Sequence, residues 1–400
     1  MAGSGKIASF LAASMSNLPA PSTEAMAHSE RLRAAICNEI LCSAGWVSFA
    51  RFMELVLYAP GLGYYSAGAR KFGAAGDFVT APELTGLFGQ ALATQVQQVM
   101  SASIPQIIEV GAGSGRLAAD LLLELERRGA LPASYQILDL SADLRQRQRE
   151  TIATAAPHLL CRVEWLDTLP ESFSGVVLAN ELLDAMPAHI VCWGDGEVTE
   201  KGVALGDDGG FVWQSRPAEG QLRSAARELA EQCSLPPGYE SEIGLAARAW
   251  AAEWGKRLVK GALLLIDYGF PRREFYHVQR ARGTLMCHYR HHSHPDPFYL
   301  PGLQDVTVHV DFTSIIAAAH PAGLDLLGYT NQGQFLINCG ILDLLSSFDN
   351  TSKDYVRAAG AVNTLLMPHE MGELFKVMAL GRGIDEPLLG FQRGDQSHRL

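Results

Sequence analysis

Ile107-Ile108-Glu109-Val110-Gly111-Ala112-Gly113-Ser114-Gly115-Arg116 decides how the rest of the chain is read. An apolar run enters a glycine cluster, and a helix-patterned run, Leu117-Ala118-Ala119-Asp120-Leu121-Leu122, leaves it. Strand, tight turn and helix N-terminus in that order open a nucleotide-binding α/β sheet. Glycines permit the sharp turn and let a ligand approach closer than a Cβ would allow.

Spacing narrows the ligand. A dinucleotide fingerprint reads G-x-G-x-x-G, with its third glycine easing helix–strand packing beside a pyrophosphate. Here the order is G-x-G-x-G, and Arg116 stands where that third glycine would be. The strand also carries Glu109 two residues before the loop, where an anion repels a pyrophosphate but can hold a ligand ammonium, directly or through water. A ligand with an adenosine half and a cationic amino-acid half fits both features, and S-adenosylmethionine is that ligand. Glu109, Gly111, Ala112, Gly113 and Gly115 are therefore candidate cofactor contacts. A plain glycine turn in another α/β sheet is the simpler alternative.

The next strand supports the cofactor. Tyr135-Gln136-Ile137-Leu138-Asp139 is short, apolar and ends in an acid, about 24 positions after Gly115, near the offset of a ribose-binding carboxylate. Asp139 can accept hydrogen bonds from both ribose hydroxyls, and Leu140 beside it joins the candidate set. A helix cap is the other reading, since Asp139 or Ser141 could start a helix through Arg145 and Arg149. Ser141 can cap while Asp139 binds.

Further strands follow at Cys161–Trp165, at Gly175–Asn180, whose continuous apolar run predicts burial on both faces, and at Leu263–Gly269. The alternation predicts an α/β, doubly wound, mostly parallel sheet, with ligands beyond the carboxyl ends of its strands. Glu109, Asp139, Asn180, Glu181 and Asp267 gather on that edge. Leu374–Leu380 supplies a last strand, closing the sheet as a hairpin pair with Leu324–Tyr329. Gly194-Asp195-Gly196 and Asp207-Asp208-Gly209-Gly210 mark hairpin turns, so an antiparallel β insertion is expected there.

The domain reading is a disordered tail over 1–27 and N-terminal helices with a glycine–aromatic loop over 28–100. A cofactor-binding core covers 101–188 and an insertion 189–255. The rest of the core covers 256–390, with a substrate lobe at about 283–322. In the loop, Gly76, Asp77, Thr80, Pro82 and Glu83 draw attention, because irregular glycine-rich segments often sit over binding sites. Gly76, Thr80 and Pro82 are counted with the cofactor contacts; an aromatic-anchored surface loop is the alternative.

Composition bounds the partners. With 400 residues, 48% hydrophobic and 19% charged, the chain has the makeup of a soluble globular protein. No apolar run is long enough to span a bilayer. A net charge of -11 disfavours a nucleic-acid backbone and attracts a cationic peptide. The seven cysteines are scattered without a C-x-x-C set, as expected of reduced thiols. His288, His291, His292 and His294, with Asp296, could make a metal site, but Pro295 and Pro297 mark an irregular loop and no metal is expected.

The chain resembles the MidA-like family of S-adenosylmethionine-dependent methyltransferases over about Ser48 to Gly383. The resemblance rests on Tyr58-Ala59-Pro60-Gly61-Leu62-Gly63-Tyr64-Tyr65, Gly76-Asp77-Phe78-Val79-Thr80-Ala81-Pro82-Glu83 and Glu109 to Gly115. It rests also on Asn180-Glu181-Leu182-Leu183-Asp184-Ala185-Met186-Pro187, Ile266-Asp267-Tyr268-Gly269, Asp305 to Phe312 and Met371 to Val377. Any one of these is weak; seven in this order are specific. Two features depart from the pattern: Asp139 stands where a glutamate is more usual, and the segment from His288 to His294 is unusually rich in histidine.

Mitochondrial members of that family are complex I assembly factors that symmetrically dimethylate an arginine of a complex I subunit. The resemblance implies a class I methyltransferase sheet and an arginine-containing protein segment as acceptor. It implies action in a bacterial cytoplasm, or in the mitochondrial matrix if the source is eukaryotic. A guanidinium is charged and poorly nucleophilic, and paired carboxylates can orient it. Glu181 is the expected clamp and Asp184 its support, with Asp77 and Glu83 as second candidates. An N-cap or salt-bridge role for Asp184 stays open. Other functions also stay open: a small-molecule methyltransferase, a cofactor-binding assembly factor without catalysis and, weakest, a nicotinamide dehydrogenase.

Overall fold

Apolar runs that end in an acid or an amide become the parallel strands of one sheet. In the computed structural model, which describes residues 18–67 and 80–400, these are β1 (Gln106–Val110), β2 (Ser134–Leu138), β3 (Val163–Leu166), β4 (Phe173–Asn180) and β5 (Leu258–Phe270). The short β6 (Val310–Asp311) follows, then β7 (Asp325–Asn331) and β8 (Phe375–Arg382). The strand order is β7-β8-β5-β4-β1-β2-β3, with β6 beside the end of β5. β1 to β5 run parallel, and β8 is antiparallel to both of its neighbours. This is the class I methyltransferase sheet. Its order reverses between β1 and β4, so the ligand crevice lies beyond the carboxyl ends of those two strands.

One expected detail changes. β7 and β8 do pair antiparallel, but not as a hairpin, because the helices Gln332–Asn338, Ile341–Ser346 and Lys353–Leu366 lie between them in the chain.

β4 shows why the sheet is stable. Val176 and Leu178 enter one apolar layer with Ile107 and Leu264. Val177 and Ala179 enter the layer on the opposite face with Ile108 and Leu263. Burying each large aliphatic side chain contributes about 1.5–3 kcal/mol, so a polar substitution on either face of β4 is costly.

Contacts divide the chain into two compact units. One holds this sheet and comprises Thr80–Met186, Gly244–His277 and His309–Leu400. The other takes its described residues from 18–67, Pro187–Ile243 and Val278–Val308. In that second unit, Val198–Leu205 pairs antiparallel with Val47–Ser48, His189–Trp193 and Phe211–Pro217, and Tyr239–Ile243 adds to His189–Trp193. Both hairpin turns fall where the glycines put them. Phe298 packs against Phe52 and Trp213 at ring separations of 5.4 and 4.8 Å. Buried Glu242 accepts the amides of Thr284 and Leu285 at 2.8 and 2.9 Å, tying two distant stretches of sequence together.

The boundaries differ from those read in sequence. The helix Thr23–Cys42 starts inside the expected tail, because Ser22 caps it by accepting the Ala25 amide at 3.2 Å. The helices Leu87–Ala102 and Leu245–Arg257 belong to the sheet unit, not to the N-terminal region and the insertion. The expected substrate lobe is divided at Val308, where the chain passes from one unit to the other.

Candidate functional site

Gly111, Gly113 and Gly115 all take positive φ, at 71°, 53° and 83°. A Cβ on Gly115 would lie 2.8 Å from the Gln148 Cα, so this turn closes directly onto the helix Ala142–Ala155. The following helix, Arg116–Arg127, begins at the loop and aims its first amides into the crevice. The Ser114 hydroxyl donates to the Glu83 carboxylate, which fixes the loop to the short turn Ala81–Leu84.

Glu109, at the end of β1, is 2% exposed and accepts the Tyr135 hydroxyl at 2.6 Å. Burial pushes its carboxyl up to about 7; the Tyr135 hydrogen bond opposes that rise and the charge of Asp139 adds to it. A cation delivered here would be strongly held, since it would relieve a buried carboxylate.

Asp139 follows β2. Its carboxylate accepts the Ser141 amide at 2.9 Å and the Gln148 side-chain amide at 2.8 Å. The Gln148 amide also donates to the Gly113 carbonyl at 3.1 Å, while its oxygen accepts the Trp165 indole N–H at 2.9 Å. Ser141 meanwhile caps the helix through Leu144 at 3.2 Å. Cap and carboxylate thus coexist. Leu140 beside them is 83% exposed, an apolar face next to the acid.

Beyond β4 and β5 lies a second group of acids. Glu181 takes φ 49°, unusual for a residue with a side chain. Part of its surface stays open, yet it sits deep enough that burial, then the charge of Asp184, pushes its carboxyl up to about 8. The Asn180 side-chain amide at 3.1 Å and the Ala81 amide both donate to it. Asp184 is 5% exposed and accepts the Tyr268 hydroxyl. Burial raises its carboxyl to about 6, opposed by that hydroxyl and by the amides of Ala185 and Asp184 itself. Asp267 is 1% exposed, and one of its oxygens accepts the amides of Leu182, Leu183 and Asp184 at 3.2, 2.8 and 3.3 Å. Burial, then the neighbouring Asp184, lifts it well above the ordinary carboxylate range.

These features fit S-adenosylmethionine. The positive-φ glycines leave a cradle that side chains would fill. Buried Glu109 suits an ammonium. The buried Asn180 Oδ1 has no hydrogen-bond partner among the described residues, and an unsatisfied buried acceptor invites a donor from a ligand.

Of the residues read in sequence, Glu109, Gly111, Ala112, Gly113, Gly115, Asp139, Leu140 and Asn180 line one sheet edge, with Glu181 and Asp184 beside them. Thr80 and Pro82 belong to the Ala81–Leu84 turn, where the Thr80 carbonyl accepts the Glu83 amide at 3.0 Å. Glu83 itself is engaged by Ser114, so its place is in support of the glycine loop. Gly76 and Asp77 lie outside the described residues. His288 and His294 face Ser293 and Cys287 across a small antiparallel ladder in the other unit, and burial lowers both imidazoles. Among the described residues no group of His, Cys, Asp or Glu is arranged to hold a metal ion. Sequence reading missed Tyr135, Gln148 and Tyr268. A polar side chain amid an apolar strand or helix face was the only signal for the first two.

Asp139→Ala is expected to weaken S-adenosylhomocysteine binding by about 1–3 kcal/mol, as for loss of charge-assisted hydrogen bonds. Calorimetry showing equal affinity for variant and parent would remove Asp139 from the site.

Residues 87–330 match a family model described as "Putative S-adenosyl-L-methionine-dependent methyltransferase". A crystal structure of a Burkholderia thailandensis protein bound to S-adenosyl-homocysteine is 50% identical, with a TM-score of 0.93 over 96% of this chain and 100% of that one. The Drosophila melanogaster homolog of the mitochondrial protein arginine methyltransferase NDUFAF7 is 26% identical over 93% of this chain and 92% of its own length. The Mus musculus protein arginine methyltransferase NDUFAF7 is 29% identical over 84% and 81%. Fold, glycine spacing and these matches agree with the resemblance read in sequence, and the chain belongs to the MidA-like family of S-adenosyl-L-methionine-dependent methyltransferases.

Proposed function

We propose that the chain methylates a protein arginine, to the symmetric dimethyl form, in a subunit of respiratory complex I or its bacterial counterpart. The observation that carries this reading is the carboxylate group of part-open Glu181 with buried Asp184 and Asp267. The strongest influences on the three are burial, one another's charge and hydrogen bonds from amides and the Tyr268 hydroxyl. Buried like charges are costly unless a cation joins them, and a guanidinium is a planar cation with donors spaced for two carboxylates. The relatives named as arginine methyltransferases support the same acceptor.

Bound S-adenosylmethionine supplies a methyl group on a sulfonium. A guanidinium nitrogen forms the new N–C bond as the C–S electron pair returns to sulfur. The acceptor then carries an additional positive charge until one N–H proton leaves. Glu181, with the higher-lying carboxyl, takes that proton, while Asp184 stays ionised and holds the guanidinium in line. Two acids whose environments set their affinities apart divide the work in this way. Asn180 and Ala81 hold Glu181 in position. Glu109, Asp139 and the glycine loop hold the donor.

No described helix is long and apolar enough to cross a membrane. The site of action in this reading is the bacterial cytoplasm or the mitochondrial matrix, on a subunit not yet assembled. The chain carries a net charge of -11, so encounter with a cationic target segment is fast at low salt, and kcat/KM should fall as salt is added. Salt-independent rates would argue against electrostatic steering. The decisive experiment is to delete the gene and map methylarginines on the isolated respiratory complex. Loss of one dimethylarginine supports the reading. An unchanged map, with a metabolite losing its methyl group instead, would establish a small-molecule methyltransferase.

A further inference from the structure

We infer that Tyr268 is a positioning residue for methyl transfer, holding Asp184 in one orientation and keeping it ionised at neutral pH so that it can engage the accepting group. This rests on the acceptor reading above. The Tyr268 hydroxyl donates to one oxygen of the buried Asp184 carboxylate. The tyrosine is held in turn by its own backbone. Its amide donates to the Asp267 carboxylate at 2.9 Å, and its ring meets the edges of His309 and Phe375 at 5.1 and 5.4 Å. With the residue fixed at main chain and ring, the hydroxyl becomes a preorganised donor.

The surroundings show why such a donor matters. Asp184 shares its pocket with Glu181 on the same turn and Asp267 on β5, both carboxylates. On the neighbouring strand, Lys376 lies opposite Asp267 in register, but its ammonium is turned to Glu373. The imidazole of His309 meets the Tyr268 ring. Burial therefore favours the protonated form of Asp184, and among the side chains acting on it the Tyr268 hydroxyl stands against that. A neutral Asp184 would neither hold a guanidinium nor repel the charge on Glu181, so one hydroxyl conditions both acids.

Tyr268→Phe keeps the ring and removes the donor. The sign follows directly: losing a hydrogen bond to the charged form raises the carboxyl of Asp184, so the acid limb of kcat/KM moves to higher pH. A displacement of about one pH unit, with transfer down about twofold at pH 7, about tenfold by pH 5 and recovered near pH 9, is the expected result. S-adenosylhomocysteine affinity should stay within about twofold, because the Tyr268 hydroxyl is spent on Asp184 and not on Glu109, Asp139 or the glycine loop. A merely structural role would depress transfer equally at every pH, and that result would overturn the inference. A second measurement needs no acceptor: titration of the Asp184 carboxyl carbon by NMR in the intact protein, parent against variant. An upward shift in Tyr268→Phe supports the inference, and an unchanged titration overturns it. If the parent transfers nothing to an arginine peptide, the acceptor reading fails and the titration alone decides on Tyr268.

Discussion

Glu181→Gln is expected to lower methyl transfer about a hundredfold while leaving S-adenosylhomocysteine affinity nearly unchanged, the range seen when one positioned electrostatic contact is lost. Glutamine preserves the volume and an oxygen that can accept from Asn180. It removes the negative charge that a guanidinium needs and the site for the departing proton. In the free protein burial holds Glu181 near 8, so much of it is neutral at pH 7, and the arriving guanidinium drives ionisation. Binding of the acceptor should therefore release a proton in the parent and less in the variant, which calorimetry in buffers of different ionisation enthalpy would show. Tight acceptor binding with slow transfer would assign Glu181 to the proton. Weak binding with near-normal kcat would assign it to holding the cation. If transfer is intact by both measures, Glu181 is not the clamp.

Much of the cofactor edge was legible because its signals are local. A glycine spacing, an acid at a strand end and a continuous apolar run each report on a few adjacent residues. β1, β4 and β5 accordingly carry Glu109, Asn180 and Asp267, and Asp139 directly follows β2. The supporting contacts were not legible, because they join residues far apart in the chain. Gln148 reads as one more polar position on a helix until Asp139, Gly113 and Trp165 are seen to converge on it. Tyr268 reads as part of a motif until its hydroxyl meets Asp184, more than eighty residues away. Glu83 shows the same thing: an acid in a glycine-rich loop has many possible partners, and its contact with Ser114, more than thirty residues away, leaves no local signal. The unit boundaries were hidden too, since the contacts of Glu242 with Thr284 and Leu285 leave no mark in local composition.

Asp267→Ala should be the most destabilising single change in the site, at about 3–5 kcal/mol, because it strands several buried amides at once. One Asp267 oxygen accepts the amides of Leu182, Leu183 and Asp184, and the other accepts that of Tyr268. The turn it gathers starts at Glu181, which holds a positive φ that the chain would not adopt unaided. Removing the carboxylate therefore costs stability and also lets Glu181 and Asp184 leave their places, so transfer should fall by more than the loss of folded protein explains. Asp267→Asn separates the two effects. Its oxygen can still accept from the Leu182–Asp184 turn, but its amide group then faces the Tyr268 N–H, donor against donor, at an intermediate cost. The variant also tests the charge. Burial and the neighbouring acids lift the folded-state carboxyl of Asp267 above its unfolded value, so its contribution is complete below the ordinary carboxylate range and declines as pH rises beyond it. Asparagine does not titrate. Between pH 5 and 9 the parent should therefore lose more stability than Asp267→Asn in denaturant unfolding. Parallel curves would show that Asp267 is already ionised within the folded chain, held so by its amides against its acidic neighbours.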